Sequence, residues 1–245
     1  DVYKRQIQLS GIPVWTRNFK WRTSLVISHN ENEVVSLSND KFKKDYEWVE
    51  GIEYAQNQSG QYNQIIKEGC PLGQYNLWIW MGRNEDGISQ FLKGDGKGNP
   101  VYDENGNPVL TTSPTMEDHF IVGDPEPKVA YGWTNNFEYK NWDASFFFRG
   151  TAGNDILNGS RAYLTYMGAQ ATLYNQPKSV AQTEDIRDIN ANFISDRYLE
   201  DGSYLRLDNV TLGYTFQNIG KLIQKFRVYA SVNNAVSYTH LTLPT

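Results

Sequence analysis

Val129–Gly150 reads VAYGWTNNFEYKNWDASFFFRG, and its period of two decides the fold class. Val129, Tyr131, Trp133, Phe137 and Tyr139 fall on one face of an extended chain, and Ala130, Gly132, Thr134, Asn136 and Glu138 on the other; Asn135 alone breaks the pattern. After the polar pair Lys140 and Asn141 the alternation resumes, with Trp142, Ala144, Phe146 and Phe148 against Asp143, Ser145, Phe147 and Arg149. Successive side chains of a strand point to opposite faces, so two such runs around a short polar break predict an antiparallel hairpin with an apolar face.

The pattern recurs on both sides. Toward the carboxyl end Val210, Leu212, Tyr214 and Phe216 alternate with Thr211, Gly213 and Thr215, and Phe226, Val228, Ala230 and Val232 alternate with Arg227, Tyr229, Ser231 and Asn233. Toward the amino end Ile7–Trp15 is expected to pair with Trp21–His29, where Trp21, Leu25 and Ile27 oppose Arg22, Ser24 and Ser28; Pro13 weakens the first strand because it offers no N–H to a ladder. The connecting segments Asn30–Pro127 and Thr151–Ser203 far exceed the roughly 12 to 15 residues of an ordinary loop. Short turns at one end and very long excursions at the other are the arrangement of an outer-membrane barrel. Each strong run has the roughly 9 to 11 residues that a tilted transmembrane strand needs. The apolar faces end in Trp133, Tyr139, Trp142, Tyr214 and Phe216, as an interfacial aromatic girdle would. Pattern alone fits a soluble β-sandwich equally well, with the same aromatics packing across strands.

Composition narrows the classes without choosing between these two. Gly 20, Tyr 16, Phe 11 and Trp 7 against Met 3 favour pleated sheet and turns over helix. No apolar run approaches the roughly 18 to 20 residues of a membrane helix and mean hydropathy is -0.60, which excludes an α-helical membrane protein but not a barrel. A net charge of -5 without a polybasic stripe leaves nothing to neutralise phosphates, so no nucleic-acid partner is expected. Cys70 is the one cysteine, and His29, His119 and His240 lie far apart, so neither a metal site nor a cofactor is expected. Asp95, Asp103, Glu104 and Asn105 lack the acidic spacing and distal glutamate of a calcium loop. They accompany a repeated GNPV at Gly98–Val101 and Gly106–Val109, which reads as a protruding hairpin with an Asn-Gly turn.

Several segments, in order, resemble the C-terminal barrel region of the SusC/RagA family of TonB-dependent outer-membrane receptors from Bacteroidetes. They are Phe19–Leu37 (FKWRTSLVISHNENEVVSL), Glu68–Tyr75 (EGCPLGQY), Ile121–Lys128 (IVGDPEPK), the strand pair ending NNFEYKNWDASFFFRG, Gly153–Leu164 (GNDILNGSRAYL), and Arg197–Phe216 (RYLEDGSYLRLDNVTLGYTF) completed by FRVYASVNN. The last combination is the specific one. The chain departs from the family at Asn76–Trp80 (NLWIW) and Asp95–Asp118. The resemblance implies an all-β fold: six to eight antiparallel strands of a wide transmembrane barrel of roughly 22 strands, with long extracellular loops. Whether Gln74–Leu92 adds two of those strands is open at this point. Asp1–Gln6 (DVYKRQ) and Val236–Thr245 (VSYTHLTLPT) look like translated sequencing-adapter read-through. Residues 1–6 and 236–245 are therefore expected to be non-native segments flanking residues 7–235, the C-terminal part of a receptor barrel whose plug, TonB box and closing strand lie elsewhere.

The resemblance further implies a transporter and not an enzyme, placed in the cell outer membrane. The intact parent would import glycan fragments, or peptides, with energy from TonB and with a SusD-like lipoprotein over the extracellular side; its other partner would be membrane lipid. The competing class is a soluble carbohydrate-binding β-sandwich module, which detergent dependence would separate. In either case the loop aromatics Tyr75, Trp78 and Trp80 and the strand residues Arg149, Arg227 and Tyr229 are the substrate-binding candidates, since ring faces stack on sugars and polar groups hydrogen-bond them. A glycoside hydrolase would need two carboxylates across a cleft. Asp185, Asp188, Asp196, Glu200 and Asp201 all fall in one polar stretch that reads as solvated charge, and Arg161 and Arg187 read as loop salt-bridge residues.

Overall fold

The structure is a computed structural model that describes residues 2–39, 41–49, 62–167, 176–220 and 223–239. In chain order the strands are β1 (Val2–Trp15), β2 (Phe19–Asn32), β3 (Tyr46–Val49), β4 (Gln64–Lys67), β5 (Gln74–Leu77), β6 (Trp80–Arg83), β7 (Ser89–Leu92), β8 (Leu110–Thr111), β9 (Phe120–Ile121), β10 (Val129–Tyr139), β11 (Trp142–Ala152), β12 (Asp155–Leu157), β13 (Leu199–Asp201), β14 (Tyr204–Ile219) and β15 (Ile223–Thr239). Two short helices, α1 (Gly159–Thr165) and α2 (Lys178–Thr183), lie between β12 and β13. Strand β1 takes in Val2–Gln6 and β15 continues through Val236–Thr239; Asp1 and residues 240–245 of the suspect ends lie outside the described residues.

The six long strands form one antiparallel sheet in the order β1-β2-β10-β11-β14-β15, which is also their order along the chain. This is an up-and-down meander of three hairpins, as the alternation required. The register keeps like faces together: Trp133 stands opposite Phe148 and Leu25, Ser145 opposite Asn136 and Thr211, and Leu212 opposite Ala144 and Ala230. Pro13 falls where the β1 register shifts between Gly11 and Val14, so its missing N–H leaves no gap in the ladder. A second irregularity sets Asp208 outside the pairing on both sides of β14. The Lys140–Asn141 turn closes the central hairpin, with Lys140 at φ 54, and its Lys140 N–H donates to Asn18 O in the neighbouring turn at 2.9 Å.

No second sheet covers this one among the described residues, and the apolar face stays open: Leu212 is 50% exposed, Val228 51% and Ile7 62%. The buried core lies instead in the long connections. Tyr75, Leu77, Ala162, Ile194 and Tyr198 pack together, with Val122, Leu157 and Leu199 against them. Strands β3-β4-β5-β9, β6-β7-β8 and β12-β13 form three small sheets in these connections. Gln74–Leu92 supplies β5, β6 and β7 to two of them, so it adds no strand to the long sheet. The two excursions form one body: Trp78 bridges Ser195, and Trp78 O accepts the Asp196 N–H at 3.0 Å.

A barrel turns its outer face to hydrocarbon, and an arginine there costs about 2–4 kcal/mol near the midplane and little inside the lumen. On the barrel reading that the resemblance implies, Leu212→Arg in the intact protein is expected to lower stability by about that much, while Thr211→Arg on the polar face is not. Spin labels check the orientation independently: oxygen should reach Leu212 and Val228 readily and Thr211 and Arg227 poorly, and the reverse alternation would refute it.

Candidate functional site: the loop body and the polar face of the sheet

The loop body is organised around β5 and the residues that follow it. Gln74, Tyr75, Asn76 and Leu77 are all buried, so this short strand is enclosed on both faces. Trp78 is 2% exposed; its Nε1 donates to Thr115 O at 2.8 Å, and its ring meets His119 at 4.9 Å, Phe193 at 5.3 Å and Phe91 at 5.9 Å. The Tyr75 hydroxyl donates to Asp155 O at 3.2 Å, and burial raises its pKa. Trp80 is half-buried: its N–H donates to Asp196 at 2.8 Å, its Nε1 to Ser89 Oγ at 2.9 Å, and the Arg197 guanidinium lies 4.7 Å over the ring. The three loop aromatics therefore share one neighbourhood, but Tyr75 and Trp78 sit inside it as packing groups and only Trp80 has an accessible edge.

Two buried carboxylates hold this body together. Asp188, 1% exposed, accepts the Ser89 N–H at 2.9 Å, the Ser89 hydroxyl at 2.6 Å and Arg83 Nε at 2.9 Å. Beside it Glu184 lies between Arg83 and Arg197, the latter at 2.5 Å. Asn190 reaches Thr112 O at 2.6 Å. Apart from the Glu184–Arg197 pair, these bonds join residues 78 to 105 apart and tie the loop after α2 to the β6–β7 hairpin and to Thr112. Asp188 thus differs from the solvated charge the sequence suggested, because its neighbours' N–H and O–H groups replace water. Arg161 and Arg187 do make loop salt bridges, to Glu200 at 3.0 Å and Asp185 at 2.6 Å.

The second carboxylate, Asp118, is fully buried, which alone would raise its pKa; the Gly94 and Thr115 N–H groups, the Thr115 hydroxyl and Lys93 outweigh burial and hold it low. A Cβ on Gly94 would stand 2.4 Å from Glu117 O, so only glycine permits this close approach. The adjacent His119 is 4% exposed, and burial pushes its pKa down to about 4. With the Asn76 amide donating at 3.3 Å, Nδ1 is the acceptor and the proton sits on Nε2, a buried atom without a partner.

The GNPV repeat folds as two loops of one kind, in place of the single hairpin expected. Asp95 accepts the N–H groups of Lys97 and Asn99 and the Asn99 amide; Asp103 does the same with Asn105 and Asn107. Those donors hold Asp95 at a pKa of about 2 although it is exposed. Both carboxylates are occupied as turn caps. Among the described residues no group of three or more His, Cys, Asp or Glu side chains is placed to hold a metal ion.

The remaining candidates lie on the polar face of the long sheet. Arg227 reaches across Gly213 to Asp143, with Nη2 2.5 Å from the carboxylate, and its guanidinium lies 4.8 Å over the Tyr229 ring. A Cβ on Gly213 would stand 2.7 Å from both partners, so the bridge requires glycine beneath it. Arg149 pairs with Asp208 at 3.1 Å. Tyr229 is 62% exposed. The structure separates the six candidates into the loop group and this wall group.

Comparison with known proteins bears on what such a sheet belongs to. No family model matches the chain. TonB-dependent receptor P3 of Formosa agariphila is 29% identical over 96% of the chain, and TonB-dependent receptor SusC of Bacteroides thetaiotaomicron is 27% identical over 96%. The solved RagAB peptide transporter superposes with a TM-score of 0.76 at 17% identity over 98% of the chain. The chain is SusC/RagA-like. It spans about a quarter of these relatives: 24% of P3, 23% of SusC and 26% of the solved chain. The long sheet of this SusC/RagA-like chain accordingly has the fold of barrel wall.

Protonation of His119 gives the loop body a defined acid response. An unfolded histidine takes its proton near pH 6.5, whereas the folded one resists until about pH 4. Stability is therefore whole above pH 6.5, falls as pH drops toward 4, and changes no further through this group below that, by on the order of 3 kcal/mol in total. Hydrogen exchange of the loop body in the intact receptor should show this decline, and His119→Gln should flatten it between pH 6.5 and 4.

Proposed function

We propose that the intact parent of this chain is an outer-membrane importer of glycan fragments or peptides. In it residues 7–235 form the C-terminal part of the barrel, a SusD-like lipoprotein covers the loop body, and TonB supplies energy through a part of the receptor outside this chain. The observation that carries the reading is the division of the sheet. One face is apolar and open, the other is lined by ion pairs and hydroxyls, and all three tight turns lie at the end opposite a folded loop body. A soluble sandwich would bury one of these faces under a second sheet. Relatives named as receptors, and a solved relative named as a peptide transporter, support import over catalysis. Trp80, Arg149, Arg227 and Tyr229 retain accessible surface for cargo. Tyr75 and Trp78 would act by shaping the body around it. Residues 1–6 and 236–245 belong to the reading as non-native ends, which resequencing across both boundaries tests.

The loop body is extracellular on this reading. An epitope inserted between Ile186 and Arg187, where Ile186 is 69% exposed, should be labelled on whole cells carrying the intact receptor. Labelling only after the outer membrane is opened would overturn the orientation, and deletion of the parent gene should abolish growth on the imported nutrient.

A further inference from the structure

Four arginines point into the polar face of the long sheet: Arg22, Arg149, Arg206 and Arg227. Three have a carboxylate on the wall itself, Arg22 with Glu138, Arg149 with Asp208 and Arg227 with Asp143. Arg206 has none among the described residues. Its guanidinium lies 5.6 Å from the Tyr204 ring, and its Nε is buried without a hydrogen-bond partner. It also stands directly opposite Arg149 in the β11–β14 register. Asp208 takes both Nε and Nη2 of Arg149 and compensates its charge, whereas Arg206 keeps a charge without a counter-ion on the wall and a buried N–H left unmade, which costs free energy. An oxyanion on the lumen side, shared between the Arg206 guanidinium and the Arg149 N–H groups that Asp208 leaves free, would supply the missing counter-charge.

Position favours cargo as the source of that oxyanion. Arg206 is ten residues up β14 from Phe216 at the short-turn end, about 24 Å at the usual rise and a 45° tilt, which is the full height of the apolar band. It therefore lies at the mouth of the lumen, below the loop body. Next to Arg149 on the same face is a hollow of about 270 Å³ lined by Ser24, Val26, Ser28, Gly132, Thr134 and Phe147. Phe147 lays a ring face over Gly132, and the Thr134 hydroxyl supplies a donor; the Ser28 hydroxyl is spent on Ala130 O and Ser24 is paired with Ser10. A ring or side chain resting there would present its charged group to the arginine pair.

We infer that Arg206 and Arg149 form a subsite for a carboxylate or sulfate oxyanion carried by the cargo at the mouth of the lumen. This rests on the importer reading and narrows its substrate class to molecules bearing an acidic group.

The test uses the intact receptor purified from the outer membrane and crystallised with selenate in one arm and 4-bromobenzoate in the other, as tetrahedral and carboxylate probes that scatter anomalously. The expected result is a peak within hydrogen-bond reach of both guanidinium groups in at least one arm. The arm that gives it identifies the oxyanion class. The peak should vanish in Arg206→Gln, with at least a tenfold loss of probe affinity, and persist in Arg22→Gln, whose ion pair lies outside the subsite. Absence of a peak in both arms, a peak that survives Arg206→Gln, or Arg206 bound to a carboxylate from another part of the receptor would each overturn the subsite while leaving import intact. A parent protein that fractionates away from the outer membrane would sink the importer reading itself, whatever occupies Arg206.

Discussion

A peptide N–H that faces hydrocarbon has no water to turn to, so a sheet placed there must satisfy every backbone group within its own ladder. On the importer reading proposed above, that constraint accounts for the length and continuity of the six strands and for the few interruptions they tolerate. It also strips the sheet of a core. On the proposed reading one face is given to lipid and the other to a wet lumen, so no layer remains to bury, and among the described residues of the six strands only Asn135, Gly150 and Gly213 are buried. Two of those are glycines crossed by a neighbour's side chain, Tyr131 over Gly150 and Arg227 over Gly213.

The long connections inherit the opposite problem. They are built from short strands, two short helices and turns, and the apolar core they enclose is small. The solution is a body in which carboxylates and amides act as internal substitutes for water. Asp188 serves Ser89 and Arg83, Asp118 serves Gly94 and Thr115, and Asn190 serves Ser89 and Thr112. Such groups are worth keeping only while all partners are present, because removal of one leaves a buried charge unmatched. The two excursions are therefore coupled: without Asp188 the Ser89 N–H and hydroxyl lose their acceptor, and without Ser89 and Arg83 the buried Asp188 loses its donors from the other excursion.

Period two made the wall legible. Each hairpin was marked by its own residues, and pairing between hairpins followed from chain order once the turns were placed at one end. The loop body was opaque for the same physical reason that it is stable. Its bonds join residues far apart in the chain, and nothing in EDIRDINAN distinguishes the buried Asp188 from the partly exposed Asp185 three residues before it, the same in charge and type. Tyr75 and Trp78 show the limit from the other side, since composition marks them as aromatic but cannot say which way a loop folds around them. Arg206 was hidden in RLD, where the nearest acid, Asp208, reads as its partner; only the strand register reveals that Arg149 takes it.

Asn135, the one break in the clearest strand, is explained by the rule it seemed to violate. It lies on the apolar face, buried, and its Oδ1 accepts the Trp21 indole N–H at 3.0 Å; on the same face Trp133 donates to Thr23 Oγ1 at 2.8 Å. A tryptophan at the membrane boundary can turn its N–H to water or headgroups, but one placed within the apolar band must find its acceptor on the wall. Asn135 stands opposite Thr23 in the β2–β10 register, so one polar pair serves both indoles across two strands. The polar residue among the apolar ones supplies the acceptor that the Trp21 indole would otherwise lack on this open apolar face.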